Sequence, residues 1–211
     1  KSIALVGPSG SGKSTFIDLI LNFIEPTSGT ISLDGEDVEH KNSKSYKKNF
    51  TYVPQKIYFL EGELKDNILF GEHNVSEEYL NEVIGKAALK DLVSSLPEGV
   101  NTILSDDHPL VSGGQKQCIG LARALIKGGN TMVLDEATSA MDTSLEKKVY
   151  ESIFNAHYSN IISVTHKPAL LRRFDSIFVF KDGSIDDVGT YEELSNTNLF
   201  FRKMLQDYSG D

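Results

Sequence analysis

The sequence predicts an α/β fold in which a mainly parallel sheet is covered by helices on both faces. Three observations lead there. Short apolar runs alternate with helical stretches along most of the chain, a glycine-rich loop joins the first run to the first helix, and a polar helical stretch from about 62 to 127 interrupts the alternation. That stretch reads as an insertion between two halves of the sheet.

Taken in order, residues 2–6 read as a strand, 7–12 as a glycine-rich loop, and 13–23 as an apolar helix carrying Phe16, Ile17, Leu19, Ile20 and Phe23. Residues 30–33 form a short strand that ends in an Asp34-Gly35 turn. Residues 43–49 are polar and basic and fit a short surface helix; 50–53 are a strand stopped by Pro54. Residues 64–70 fit a short amphipathic helix. Ser76, Glu77 and Glu78 give the next helix a polar cap and an acidic first turn, followed by Tyr79, Leu80, Val83, Ile84 and Ala87 at helical spacing. Ser112-Gly113-Gly114 opens a third helix with Ile119, Ala122, Leu125 and Ile126. Strands return at 131–134, 160–164 and 176–180, the last joined through Asp182-Gly183 to a hairpin partner at 184–188. Helices at about 143–157, 167–173 and 190–207 fill the gaps.

The 211 residues suffice for one domain, or one core with a smaller lobe. With 39% hydrophobic and 24% charged residues, disorder, collagen and coiled coil are excluded as readings. A formal charge of −9, from 21 basic and 30 acidic residues, opposes a nucleic-acid partner. The single cysteine, Cys118, excludes an intramolecular disulfide; it reads as a buried inert thiol, since a redox switch needs an exposed site with a depressed pKa. Lys41, Lys44, Lys47 and Lys48 read as a solvated helix face, with lipid contact as the sharper alternative. No apolar run reaches the length of about 18 residues that a membrane span needs. The abrupt opening on a strand predicts a piece of a larger polypeptide.

Gly7-Pro8-Ser9-Gly10-Ser11-Gly12-Lys13-Ser14 matches G-x-x-x-x-G-K-[ST], with the required strand before it and helix after it. Glycines at these positions let backbone N–H groups turn inward and approach phosphate oxygens. The helix that follows points its positive end at the same anion. Lys13 can reach the β- and γ-phosphates, and the Ser14 hydroxyl, with Thr15 beside it, is placed to ligate Mg²⁺. Met132-Val133-Leu134-Asp135-Glu136 is an apolar strand that ends in two carboxylates. In nucleotidases with such a loop, the aspartate helps hold Mg²⁺ and a neighbouring glutamate can deprotonate the attacking water. Val111-Ser112-Gly113-Gly114-Gln115 opens a helix with a second phosphate-binding end. One nucleotide has no evident need of two such helices from one chain, and a head-to-tail dimer resolves the surplus.

With these motifs in this order, the chain resembles the nucleotide-binding domain of an ABC transporter along essentially its whole length. Residues 7–15 resemble the Walker A motif of a P-loop NTPase. Gln55, after Tyr52-Val53-Pro54, resembles the Q-loop glutamine, and Ser112-Gly113-Gly114-Gln115 the family signature. Residues 131–136 resemble Walker B with its catalytic glutamate; Ser139-Ala140-Met141-Asp142 resembles the D-loop; His166, after an apolar strand, resembles the switch histidine. The stretches 59–71 and 189–194 resemble the exporter branch.

The resemblance implies a RecA-like core at 1–60 and 128–211 and a helical subdomain at about 61–127. It also implies a small antiparallel β subdomain, with an adenine-stacking aromatic, that begins upstream of Lys1. It implies ATP as ligand and Mg²⁺ as cofactor. The ATP contacts would come from Gly7 through Thr15, Gln55, Ser112 through Gln115, Asp142 and His166. Ser14, Gln55 and Asp135 would hold the metal, and Glu136, His166, Gln55 and Lys13 would carry hydrolysis. The implied partners are a second nucleotide-binding domain and the transmembrane domains of an exporter, at the cytoplasmic side of a membrane. The rival readings are a non-transport ABC ATPase that clamps a ribosome or DNA, and a regulatory domain with little turnover.

Overall fold

The computed structural model describes residues 1–38, 43–105, 110–156, 158–165 and 167–209. They form two compact units. The first comprises Lys1–Phe50, Gly129–Asp135 and Ser159–Asp211; the second comprises Thr51–Gly128 and Glu136–Tyr158. The second unit therefore takes in residues 51–60 and 136–158 besides the expected helical stretch.

In the first unit, strands lie in the order Ser184–Gly189, Ser176–Lys181, Ser2–Val6, Asn160–Val164, Thr131–Asp135. The first pair is antiparallel and the others are parallel, with Ile3 opposite Ile162 on one side and Ser176 on the other. Burial on both faces explains why the central strands are apolar nearly throughout: Ala4, Leu5, Val6, Met132 and Val133 are fully buried. Phe50–Val53, a further strand, carries the chain into the second unit. A minimal hairpin pairs Ser32–Leu33 with Glu36–Asp37 around the expected Asp34-Gly35 turn.

The first helix, Lys13–Ile20, is shorter than the pattern suggests, because Asn22 turns left-handed (φ 55°) and ends it. The expected single helix at 190–207 is two, Tyr191–Thr197 and Leu199–Ser209. Asn198 breaks it by leaving helical geometry (φ −100°, ψ 106°). Its Oδ1 then accepts from the Phe201 N–H at 2.8 Å, while its Nδ2 donates to Asp187 at 2.9 Å. Phe201 is fully buried and meets Tyr191 edge-on at 6.0 Å.

The first strand is anchored by Asp175. Its Oδ2 accepts from the Ser2 N–H at 2.7 Å and the Ser2 hydroxyl at 3.1 Å, and these bonds hold its carboxyl below the ordinary carboxylate value. A depressed carboxylate contributes stability that is complete above its unfolded pKa and is lost as pH falls through the folded one. Thermal midpoints recorded from about pH 6 down to about pH 3 are therefore expected to fall less steeply in Asp175→Asn than in the wild type.

In the second unit, helices Leu64–Leu69, Glu77–Lys86, Lys90–Ser95, Gly113–Lys127 and Thr143–Phe154 surround Leu64, Ile68, Val83, Leu89, Ile119 and Ile153. The Lys90–Ser95 helix has no counterpart in the sequence pattern; its six residues are too few for a periodic signal. Cys118 is fully buried, and burial pushes its thiol up to about 12, so no thiolate is available for redox chemistry.

A buried clamp secures the segment after Gln55. Asn67 donates to the Leu60 and Glu63 carbonyls at 2.8 and 3.2 Å and accepts from the Leu60 N–H at 2.9 Å. Arg123 donates to the carbonyls of Asn67 and Tyr58 at 2.6 and 2.8 Å and lies 4.5 Å from the Phe70 ring centroid. Removing one member strands partly buried polar groups, each at a cost toward the low end of about 1–3 kcal/mol. Asn67→Ala is expected to lower unfolding free energy in urea by about 2–4 kcal/mol; a change near zero would show that the clamp does not hold this segment.

Candidate functional site

In the first unit, the loop after Ser2–Val6 takes a backbone course that few residues tolerate. Gly7 has φ 146°, and a Cβ there would lie 2.3 Å from the Phe180 carbonyl oxygen. Gly12, at φ 101°, is the N-cap of Lys13–Ile20. Lys13 is buried, and its ammonium donates back to the carbonyls of Gly7 at 2.7 Å and Pro8 at 2.9 Å. The cation is thus held inside the curve of the loop, at the positive end of the helix, where an anion gains from both.

The side chains of this loop suit a phosphate. Ser11 Oγ is buried with no hydrogen-bond partner among the described residues. Pro8, Ser9 and Gly10 are exposed, as are Ser14 and Thr15 in the first turn of the helix. Asp135 ends the strand Thr131–Asp135, two places from Ser2–Val6 in the sheet order. Among the described residues, no group of three or more His, Cys, Asp or Glu side chains is placed to hold a metal. A Mg²⁺ that arrives with phosphates needs only one or two protein oxygens, which a Ser14 hydroxyl and an Asp135 carboxylate supply in kind.

In the second unit, two residues distant in sequence meet. Gln55 Nε2 donates to Glu136 Oε2 at 2.7 Å. Glu136 itself is left-handed, at φ 48°, an uncommon state for a non-glycine residue. Its carbonyl accepts from the Ser139 N–H at 3.1 Å. Thr138 reinforces the turn by donating to the buried Glu146 at 2.6 Å.

The helix Gly113–Lys127 starts with a full capping box. The Ser112 hydroxyl accepts from the Gln115 N–H at 3.2 Å, and Gln115 Oε1 accepts from the Ser112 N–H at 2.8 Å. A Cβ on Gly113 would lie 3.3 Å from the Ala140 Cβ, and one on Gly114 3.0 Å from the Ala140 carbonyl oxygen, so the helix end and the 139–141 turn are in close contact. Gln55, Gly113, Lys116, Gln117, Ser139 and Ala140 line an open cavity of about 340 Å³. Asp142 caps Thr143–Phe154, its Oδ1 accepting from the N–H groups of Ser144 and Leu145 at 2.9 Å each. His166 lies outside the described residues.

Two polar side chains of this unit have no motif to announce them. They are Arg123, in the clamp described above, and Gln117. Both act through backbone groups far away in sequence, and a sequence pattern carries no sign of such partners.

Residues 1–139 match the family model described as ABC transporter. The chain is 38% identical over 206 residues to ABC transporter B family member 14 of Arabidopsis thaliana, covering 97% of this chain and 16% of that protein. It is 40% identical over 195 residues to the ABC multidrug transporter atrD of Emericella nidulans, covering 91% of this chain and 14% of that protein. Among solved structures it is similar to a bacterial Atm1-family ABC exporter with ATP bound, with a TM-score of 0.93 and 29% identity, over 100% of this chain and 37% of that one. The chain therefore spans well under half the length of these relatives.

Proposed function

The chain belongs to the ABC transporter family, and we propose that it is the ATP-hydrolysing motor domain of an exporter within that family. The observation that carries the hydrolytic part is the 2.7 Å bond between Gln55 and Glu136, which joins the two side chains suited to handling a nucleophilic water. The curved loop around Lys13 supports ATP as the ligand, through its buried ammonium and a buried Ser11 hydroxyl without a partner among the described residues.

In this reading, residues 7–15 bind the triphosphate, and Lys13 offsets charge that builds on the transferred phosphoryl group. By the family resemblance, Ser14, Asp135 and Gln55 are the residues that would hold a Mg²⁺, which would neutralise phosphate charge. The Glu136 carboxylate accepts a proton from the attacking water while Gln55 orients both. His166 would contact the γ-phosphate, as the family resemblance implies. Ser112 through Gln115 close over the nucleotide of a second copy, or of a related chain, and Asp142 couples the two sites. By the family's division the core would comprise 1–60 and 128–211 and a helical subdomain about 61–127, whereas compactness groups 51–60 and 136–158 with the helical stretch. The similarity to an ABC exporter supports transmembrane domains as the partner, and the family resemblance implies the cytoplasmic face of a membrane as the place of action. No helix among the described residues is long and apolar enough to cross a membrane, so the span in this reading belongs to those domains.

Phosphate release from Mg-ATP tests the reading. Turnover that stops when Mg²⁺ is removed is expected. Tight ATP binding with no phosphate release, even with the transmembrane partner present, would overturn the motor role.

A further inference from the structure

Gln117 is 5% exposed and reaches from the helix Gly113–Lys127 to the turn that carries Glu136. Its Nε2 donates to the Glu136 carbonyl at 3.4 Å and to the Ser139 hydroxyl at 3.1 Å, and its Oε1 accepts from the Ala140 N–H at 2.9 Å. Three of the carboxamide's four hydrogen-bonding places are thus engaged on one short turn. The residue that opens that turn, Glu136, holds a left-handed backbone, which persists only where the surroundings over-determine it. The same helix begins one turn earlier at Ser112-Gly113-Gly114, packed so tightly that a Gly114 Cβ would crowd the Ala140 carbonyl. A helix end and a carboxylate-bearing turn are therefore tied by one buried side chain.

We propose that Gln117 is a positioning residue for Glu136. Its carboxamide fixes the left-handed turn to the Gly113–Lys127 helix. The Glu136 carboxylate then stays on Gln55, and movement of the Ser112–Gln115 end is passed to it. The inference rests on the ATPase reading above. It requires that Gln117 act through Glu136 and not through nucleotide binding, because its three bonds all go to the Glu136–Ala140 turn.

Two variants test this in the full chain. Gln117→Met keeps length and apolar volume and removes all three bonds. Gln117→Glu keeps the acceptor for the Ala140 N–H and loses the donor to the Glu136 carbonyl. Both are expected to lower kcat by about 10²-fold, the scale on which a small misplacement of a reacting group acts. KM for ATP should stay close to wild type, while the thermal midpoint falls by a few degrees because polar groups of the turn lose their partners. In a Glu136→Gln background, neither substitution should lower residual turnover further, because the residue through which Gln117 acts is already disabled. Wild-type kcat in both variants, or a loss that adds in full to that of Glu136→Gln, would overturn the proposal. If Glu136→Gln alone turned over at the wild-type rate, Glu136 would have no part in the chemistry and the proposal would fall with it; a wild-type protein that releases no phosphate from Mg-ATP would instead remove the ATPase reading beneath it.

Discussion

Replacing Glu136 by glutamine leaves a protein that binds ATP and hydrolyses it about 10²–10⁴-fold more slowly, the usual contribution of a positioned general base. The substitution keeps side-chain length and an oxygen that can accept the 2.7 Å bond from Gln55. It removes the basic carboxylate. Nucleotide affinity is expected to remain near wild type, because the groups assigned to the triphosphate are those of residues 7–15. Phosphate release and equilibrium binding, measured on one preparation, separate the two effects. Turnover close to wild type would remove Glu136 from the chemistry.

Lys13→Ala is expected to weaken ATP binding by about 2–4 kcal/mol, or roughly 30- to 1000-fold, the range for deleting a charged partner of a buried hydrogen-bonded pair. Two losses combine. The phosphates lose a cation, and the loop loses the ammonium that ties the Gly7 and Pro8 carbonyls together at 2.7 and 2.9 Å. Lys13→Arg separates them, since it restores the charge while its planar fork cannot enter the same curve in the same way. It should recover part of the affinity at most. Titration with a fluorescent nucleotide reads the effect, and an unchanged dissociation constant for Lys13→Ala would refute the role of the loop.

Much of the fold is legible in the sequence because its signals are local. The strands Ser2–Val6 and Asn160–Val164 coincide with the apolar runs, and the Gly7–Ser14 motif carries its own geometry in eight consecutive residues. The Asp34-Gly35 turn and the Ser76 cap are equally self-contained. What escaped the pattern depends on distant partners. The break at Asn198 is made in part by its bond to Asp187 on a hairpin strand. The grouping of 136–158 with the helical stretch is supported by Gln117, which bonds the Glu136 carbonyl, the Ser139 hydroxyl and the Ala140 N–H, partners that no periodicity reveals. Gln55 and Glu136 lie 81 residues apart, and family resemblance alone suggests that they share a task.

The segment between Gln55 and Phe70 is held by Asn67 and Arg123, and Arg123 belongs to the same helix as Gln117. A single helix thus carries the Ser112–Gln115 end, the tie to the Glu136 turn and the clamp on the segment after Gln55. The chemistry proposed for this unit depends on that helix keeping its place.

The central claim is that ATP closes two of these domains on one another, head to tail. Light-scattering mass of the Glu136→Gln protein with Mg-ATP and with Mg-ADP tests it most directly. The account predicts a mass that doubles with ATP and stays monomeric with ADP. A protein that binds ATP tightly and remains monomeric at every concentration, alone and with its partner domains, would contradict it.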